Sequence, residues 1–461
     1  MASAISVNKL SGSAFRKYLR GLANSRHFRE SASNSAYSVA EYIALPLCML
    51  VAAPFLVHHL GLPQYGIWML VSSILGSVGI LSTGFGDATV KYVSAYRAKK
   101  NFQGVERTIR ATLTINAALG LMFGALVWLL APVLVHRVFK IEPQFYVASI
   151  RAIEISAVIL FLRSAESVFV STLRAFECYG PAVKLNVFLR VMVVLSAVIL
   201  AASGRGVVPI MLATLFWSAV VVGLQAHAAR KTAGDFNVIP TFEPAALREV
   251  FGFGCFSWLQ ALAAVVFNHA DRFVIGAMLG TTPVAIYVLC VQATQPIHGL
   301  SAAGFNFLFP HISARHEAGE VHGPRRVFRL ALLLSIGSAL IIALTFILFG
   351  KMLLTLWMGA AFAEQSYLVL AVLAVAYAAM AANVVPHCGL LALGRVRLIS
   401  ALNTSAGVVL IGLMALLIPP LGLTGAALGR LGYSVLLAIP YLVSSRNAFR
   451  SHPELQAIGV T

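Results

Sequence analysis

The stretch Leu60-Gly-Leu-Pro-Gln-Tyr-Gly-Ile-Trp68 separates two apolar runs, 35–59 and 65–88, with little more than a Gly and a Pro between them. Each run reaches the roughly 20 residues that an α-helix needs to cross about 30 Å of hydrocarbon. Leu279-Gly-Thr-Thr-Pro283 makes the same kind of break between runs 250–279 and 284–310. Outward from these two turns, further apolar runs fall at 111–135, 148–173, 183–202, 207–229, 327–350, 365–391, 398–418 and 423–444. The pattern predicts an all-α polytopic membrane protein with twelve spans.

Composition agrees. Of 461 residues, 59% are hydrophobic and 11% charged, with a mean hydropathy of +0.86. A soluble domain carries about 25% charged residues, so a soluble globule is excluded, and no hydrophilic stretch is long enough for a separate catalytic domain. The formal charge of +18 would suggest nucleic acid in a soluble chain. In a polytopic one its source is the cytoplasmic excess of Lys and Arg, and no nucleic-acid partner is expected. Cys48, Cys178, Cys255, Cys290 and Cys388 stand singly in apolar segments without metal-ligand spacing, and are expected to be packing residues.

Charge also orients the spans. The N-terminal segment 1–30 carries Lys9, Arg16, Lys17, Arg20, Arg26 and Arg29 without an apolar core, which predicts no cleavable signal and a cytoplasmic N-terminus. Assigning connections alternately to two sides places 25 Lys and Arg inside and four outside: Arg137, Lys140, Arg205 and Lys351. Both termini are then expected in the cytoplasm. The longest inner connection, 230–249, divides the spans six and six. The expected organisation is a basic tail (1–32), a first lobe (33–229), a cytoplasmic linker (230–249), a second lobe (250–445) and a C-terminal tail (446–461).

The two lobes look like copies. Leu60-Gly61 leading to Gly66 and Trp68 matches Leu279-Gly280 leading to Ala285 and Tyr287; Gly84-Phe85 matches Gly304-Phe305; and 174–186 matches 391–403. In numbering, the offsets run from 217 to 220. Six spans per copy return the chain to its starting side, so the copies are parallel, an arrangement that opens a cavity between halves first to one side and then to the other.

Ionisable groups inside hydrocarbon cost several kcal/mol unless they face a partner or water, which makes them the functional candidates. They are Glu41, Arg163, Glu166, Arg190, Asp271, Arg272 and Arg430, with His298 and His387 beside them. Asn268, Asp271 and Arg272 fall near one face of the seventh span; Gln292, Gln295 and His298 form a stripe on the eighth; Ser38, Glu41 and Tyr42 form a third on the first. If these helices meet, their faces line one polar cavity. The alternative for Asp271 and Arg272 is an ion pair fixing one helix against another, and Arg163 and Glu166, three apart, can neutralise each other. No nucleotide-binding loop, H-E-x-x-H or nucleophile elbow is present, so neither enzymatic activity nor a cofactor is expected, and energy would come from an ion or substrate gradient. A membrane glycosyltransferase or polymerase is the competing class, though it would want a sizeable wet loop of carboxylates.

Leu60-Gly-Leu-Pro-Gln-Tyr-Gly-Ile-Trp68, Gly84-Phe-Gly-Asp-Ala-Thr-Val-Lys-Tyr-Val-Ser-Ala-Tyr-Arg97, Leu247-Arg-Glu-Val-Phe-Gly-Phe-Gly254 and Asp271-Arg-Phe-Val-Ile-Gly-Ala-Met-Leu-Gly280 resemble the polysaccharide and O-antigen (Wzx-type) flippases of the multidrug/oligosaccharidyl-lipid/polysaccharide (MOP) exporter superfamily. The resemblance runs from about 33 to 445. It implies a two-lobed, twelve-span transporter of a bacterial inner membrane that turns polyprenyl-diphosphate-linked oligosaccharide to the outer leaflet. It also implies membrane lipids and glycan polymerase or assembly proteins as partners, and H+ or Na+ as the coupling ion. A diphosphate in hydrocarbon needs cations, for which Arg272, Arg163, Arg190 and Arg430 are the candidates. The first span offers Glu41 in place of a cation, and Glu41 and Asp271 would suit the coupling ion. Those two carboxylates also keep open a drug/cation antiporter of the same superfamily.

Overall fold

The computed structural model describes residues 26–82, 85–234, 236, 242–305, 308–309, 312–313 and 322–450, and among these the chain is helical without a strand. The first helical path, α1 (Arg26–Ser82), bends at Gly61, whose φ of 75° and ψ of 158° lie outside the helical region. Only a residue without Cβ adopts this backbone cheaply, and Pro63 follows with no N–H to continue the ladder. Runs 35–59 and 65–88 are thus the two arms of α1. The second arm is described to Ser82, residues 83 and 84 fall outside the described residues, and a separate helix, α2 (Gly86–Ala98), follows and carries Lys91 and Arg97.

The first half continues with α3 (Phe102–Val133), a π turn at Leu134–Val138, a short 3-10 turn at Pro143–Phe145, α4 (Tyr146–Ala175), α5 (Tyr179–Ala202) and α6 (Val207–Ala233). The second half holds α7 (Pro244–Met278), α8 (Thr281–Phe305), α9 (His322–Met358), α10 (Ala360–Ala382), α11 (Val384–Ala392) and α12 (Val396–Arg450), which breaks at Gly422. The expected tenth span is divided at Asn383, because Pro386 has no N–H to return to residue 382. Among the described residues seven helical stretches are long and apolar enough to cross a membrane, and one of them, Arg397–Asn447, contains the Gly422 break.

Backbone geometry repeats at nearly one offset along the chain. Positive φ occurs at Gly61 and Gly280 (75° and 100°), at Glu177 and Gly394 (62° and 70°), and at Gly204 and Gly422 (71° and 58°). The numbering offsets within these pairs are 219, 217 and 218. A left-handed residue is needed at a sharp reversal, so its recurrence at nearly one offset is independent support for a duplication.

In the first half α4 packs between α3 and α6; in the second, α10 packs on α9, α8 and α12. The halves meet where α1 lies along α7 and α8, in a core that includes Tyr65, Trp68, Ile74, Ile275, Tyr287 and Val291. The outward faces are the reverse of a soluble protein's: Leu129 is 73% exposed, and Leu333 and Leu416 are 69% each. Such a surface is compatible with lipid and not with water.

Candidate functional site

Asp271 and Arg272 are neighbours on α7, and successive helical residues point about 100° apart. They therefore serve different places. Asp271 turns into the second half, where it is buried. Its Oδ2 accepts from the Tyr287 hydroxyl of α8 at 3.1 Å and lies 3.6 Å from the Arg430 guanidinium of α12. Arg430 sits against Tyr377 of α10 and Tyr433, with ring centroids at 5.7 and 5.4 Å, and it hydrogen-bonds Tyr377. One carboxylate and one guanidinium thus tie α7, α8, α10 and α12 together, and the aromatic faces supply negative charge on the guanidinium's remaining sides. His298 of α8 lies within electrostatic reach of Arg430 and of His387 on α11. His387 contacts the Tyr441 hydroxyl, which donates to Asn403 at 3.0 Å.

Arg272 turns the other way, to the seam with α1, and its guanidinium donates to the Ser73 hydroxyl at 3.2 Å. Beside it Gln292 of α8 reaches the Tyr65 hydroxyl on α1 at 3.2 Å. His269 packs against Gly76, where a Cβ would come within 2.5 Å of the imidazole. Arg272 is half-buried, so the seam holds a cation that is not sealed into the core and, among the described residues, not paired with the adjacent carboxylate. In place of the alternative pairing of Asp271 with Arg272, Asp271 pairs with the distant Arg430, because the helix turns the two neighbours to different sides.

Arg163 and Glu166 of α4 and Arg190 of α5 belong to a third group in the first half. Gln225 of α6, fully buried, donates to Glu166 at 3.3 Å and to Asn186 of α5 at 2.8 Å. Arg163 and Arg190 are half-buried, and the Arg163 Nε has no hydrogen-bond partner among the described residues. Gln295 is half-buried on α8. Glu41 and Asn268 lie on α1 and α7, and their side chains fall outside the described residues. Among the described residues no group of three or more His, Cys, Asp or Glu is placed to hold a metal ion.

The structure thus brings Asp271 and Arg430 together and Arg272 and Gln292 into the seam, and leaves Arg163 and Arg190 in the first half. Sequence reasoning missed Tyr65, Ser73, Tyr287, Tyr377 and Tyr433. Their signal was weak but present: a hydroxyl on an apolar helix needs a partner, and buried charges are where such partners are found.

A sequence profile of the family described as "Polysaccharide biosynthesis protein" matches residues 60–367, two thirds of the chain. This chain belongs to that family. A relative within reach of this polysaccharide biosynthesis protein is the "Putative O-antigen transporter" of Shigella flexneri, 21% identical over 401 residues that cover 86% of this chain and 93% of the relative. Among solved structures it resembles an inward-facing multidrug resistance MATE family transporter of the MOP superfamily, with a TM-score of 0.73 at 16% identity over 92% and 96% of the two chains. The lipid II flippase MurJ in an inward closed conformation also gives 0.73, at 10% identity over 90% and 89%. At these identities the likeness is one of fold, and the fold is that of MOP transporters.

Proposed function

We propose that this polysaccharide biosynthesis protein moves an anionic, lipid-linked oligosaccharide, a polyprenyl-diphosphate glycan, across a bacterial inner membrane. The observation that carries the reading is the family profile over 60–367, joined to an O-antigen relative that spans 93% of its own length on this chain. Transport proceeds by alternating exposure of one cavity between the halves 33–229 and 250–445, with 230–249 as the cytoplasmic linker and both termini inside. Two halves that meet along α1, α7 and α8 support this reading. Arg272, half-buried at the seam, meets the diphosphate through paired N–H donors that a lysine lacks. Arg163 and Arg190 extend the basic wall in the first half. Arg430 is already engaged by Asp271, so it holds the second half together and does not contact cargo. That engagement disfavours the drug/cation antiporter, since a cation at Asp271 must displace a guanidinium and a hydroxyl. A coupling proton or sodium ion has Glu41 as its carboxylate.

Deletion of the gene is expected to leave the lipid-linked glycan on the inner leaflet. Arg272→Ala should abolish its outward appearance and Arg272→Lys should fall between Ala and wild type. Normal appearance with Arg272, Arg163 and Arg190 each changed to Ala would refute the mechanism. A deletion strain that keeps its surface glycan and becomes sensitive to cationic drugs would establish the antiporter.

A further inference from the structure

An α-helix ends with carbonyls that lack an intrahelical donor, and its carboxyl end carries partial negative charge. At the carboxyl end of α7 two of these carbonyls are satisfied from the other half of the molecule. The Lys140 backbone N–H donates to Gly276 at 3.0 Å, and the Lys140 ammonium donates to Met278 at 2.7 Å. Lys140 lies in the connection between α3 and α4, one of the four outer cations counted from sequence. Apolar contacts close beneath it: Phe139 stacks on Phe273 with centroids 6.3 Å apart, and a Cβ at Gly276 would meet Leu70 and Phe139 at 2.8 and 3.2 Å. A Cβ at Gly280 would come within 2.7 Å of the Lys140 carbonyl, and one at Gly66 would run into the Thr281 carbonyl. The backbones of the two halves therefore touch at the outer end, where no side chain stands between them.

We propose that Lys140 is the latch of an outer gate. It caps α7 from the opposite half, holds the outer end of the seam shut, and must let go each time the cavity opens outward. Its charge suits the site, because a cation belongs at the negative end of a helix. Its exposure suits the task as well. A helix-end cation in water adds little, so the latch holds without locking, and the apolar Phe139–Phe273 contact closes beneath it while it is made. Below it, Tyr65–Gln292 and Arg272–Ser73 continue the closure toward the membrane centre. The latch rests on the alternating exposure proposed above.

Two measurements test it, in a chain whose native cysteines are replaced. The first reads no cargo: a Gln295→Cys reporter is labelled from outside with a membrane-impermeant maleimide. Lys140→Met should raise the labelling rate about two- to fivefold, the change that loss of one helix-end cation brings, and Lys140→Arg should leave it near that of Lys140. Equal rates for Lys140 and Lys140→Met would overturn the latch. The second pairs Phe139→Cys with Gly276→Cys across the seam. Oxidation should stop outward appearance of the glycan, and dithiothreitol should restore it; appearance that continues with the bridge formed would also overturn the latch. A deletion strain that keeps its surface glycan refutes the cargo reading, and the labelling rates still decide the latch.

Discussion

The two halves share their bends and differ in what they bury. Left-handed residues recur at Gly61 and Gly280, Glu177 and Gly394, and Gly204 and Gly422. The cluster around Asp271 has no counterpart. At offsets of 218 or 219 the positions of Asp271, Tyr287, Tyr377, Arg430 and Tyr433 correspond to Ala52, Trp68, Ile159, Leu212 and Leu215 in the first half, all apolar. The reverse also holds, since Glu166 and Gln225 correspond to Val384 and Val443. One polar position is kept: Asn186 accepts from Gln225, and its counterpart Asn403 accepts from Tyr441. Three bends therefore recur in both halves and the buried ions do not. The two clusters tie different sets of helices together in the two halves.

Arg430 offers the strongest way to break that comparison. Changing it to Met leaves Asp271 buried without its cation and should cost about 3–5 kcal/mol, whereas Asp271→Asn with Arg430→Met should be near neutral. Thermal unfolding in detergent reads the contrast; equal losses for the single and double variants would dissolve the pair. Tyr287→Phe removes one donor to the same carboxylate and is expected to lower stability by about 1.5–3 kcal/mol. Leu212→Met, at the corresponding place of Arg430 in the first half, should change nothing measurable in the same assay, since it exchanges one lipid-facing side chain for another.

Smaller effects sharpen the shared geometry. Gly394→Ala places a Cβ in the left-handed region and should destabilise by about 1–2 kcal/mol. Its counterpart Glu177 already bears that strain at a φ of 62°, and it also pairs with Arg97 at 3.3 Å on an exposed surface. Glu177→Gly relieves the crowding and loses chain stiffness and a weak ion pair, so its stability should stay within about 0.5 kcal/mol of wild type. A loss for Glu177→Gly as large as that for Gly394→Ala would show that the two turns do not play equivalent parts.

Much of the architecture was legible because a bilayer imposes a length on the helices that cross it. Runs of about 20 apolar residues, turns such as 60–63 and 279–283, and the excess of Lys and Arg on alternate connections are local properties that no tertiary contact has to supply. The break at Asn383 was less legible, since apolar residues continue on both sides of it. Candidate ions could be picked out for the same reason that spans could: a charge inside an apolar run is conspicuous in one dimension. Their partners could not. Asp271 and Arg272 look like a pair because they are adjacent, yet a helix points neighbours about 100° apart, and the partner of Asp271 lies far along the chain on α12. The tyrosines around Arg430 are unremarkable in sequence and acquire meaning only when four helices converge. By itself the sequence determined that this chain spans a membrane repeatedly. Only the tertiary structure decided that Asp271 closes on Arg430, that Arg272 is turned to the seam, and that Lys140 reaches the end of α7, because each depends on which helix faces pack together, and packing is set by the whole molecule at once.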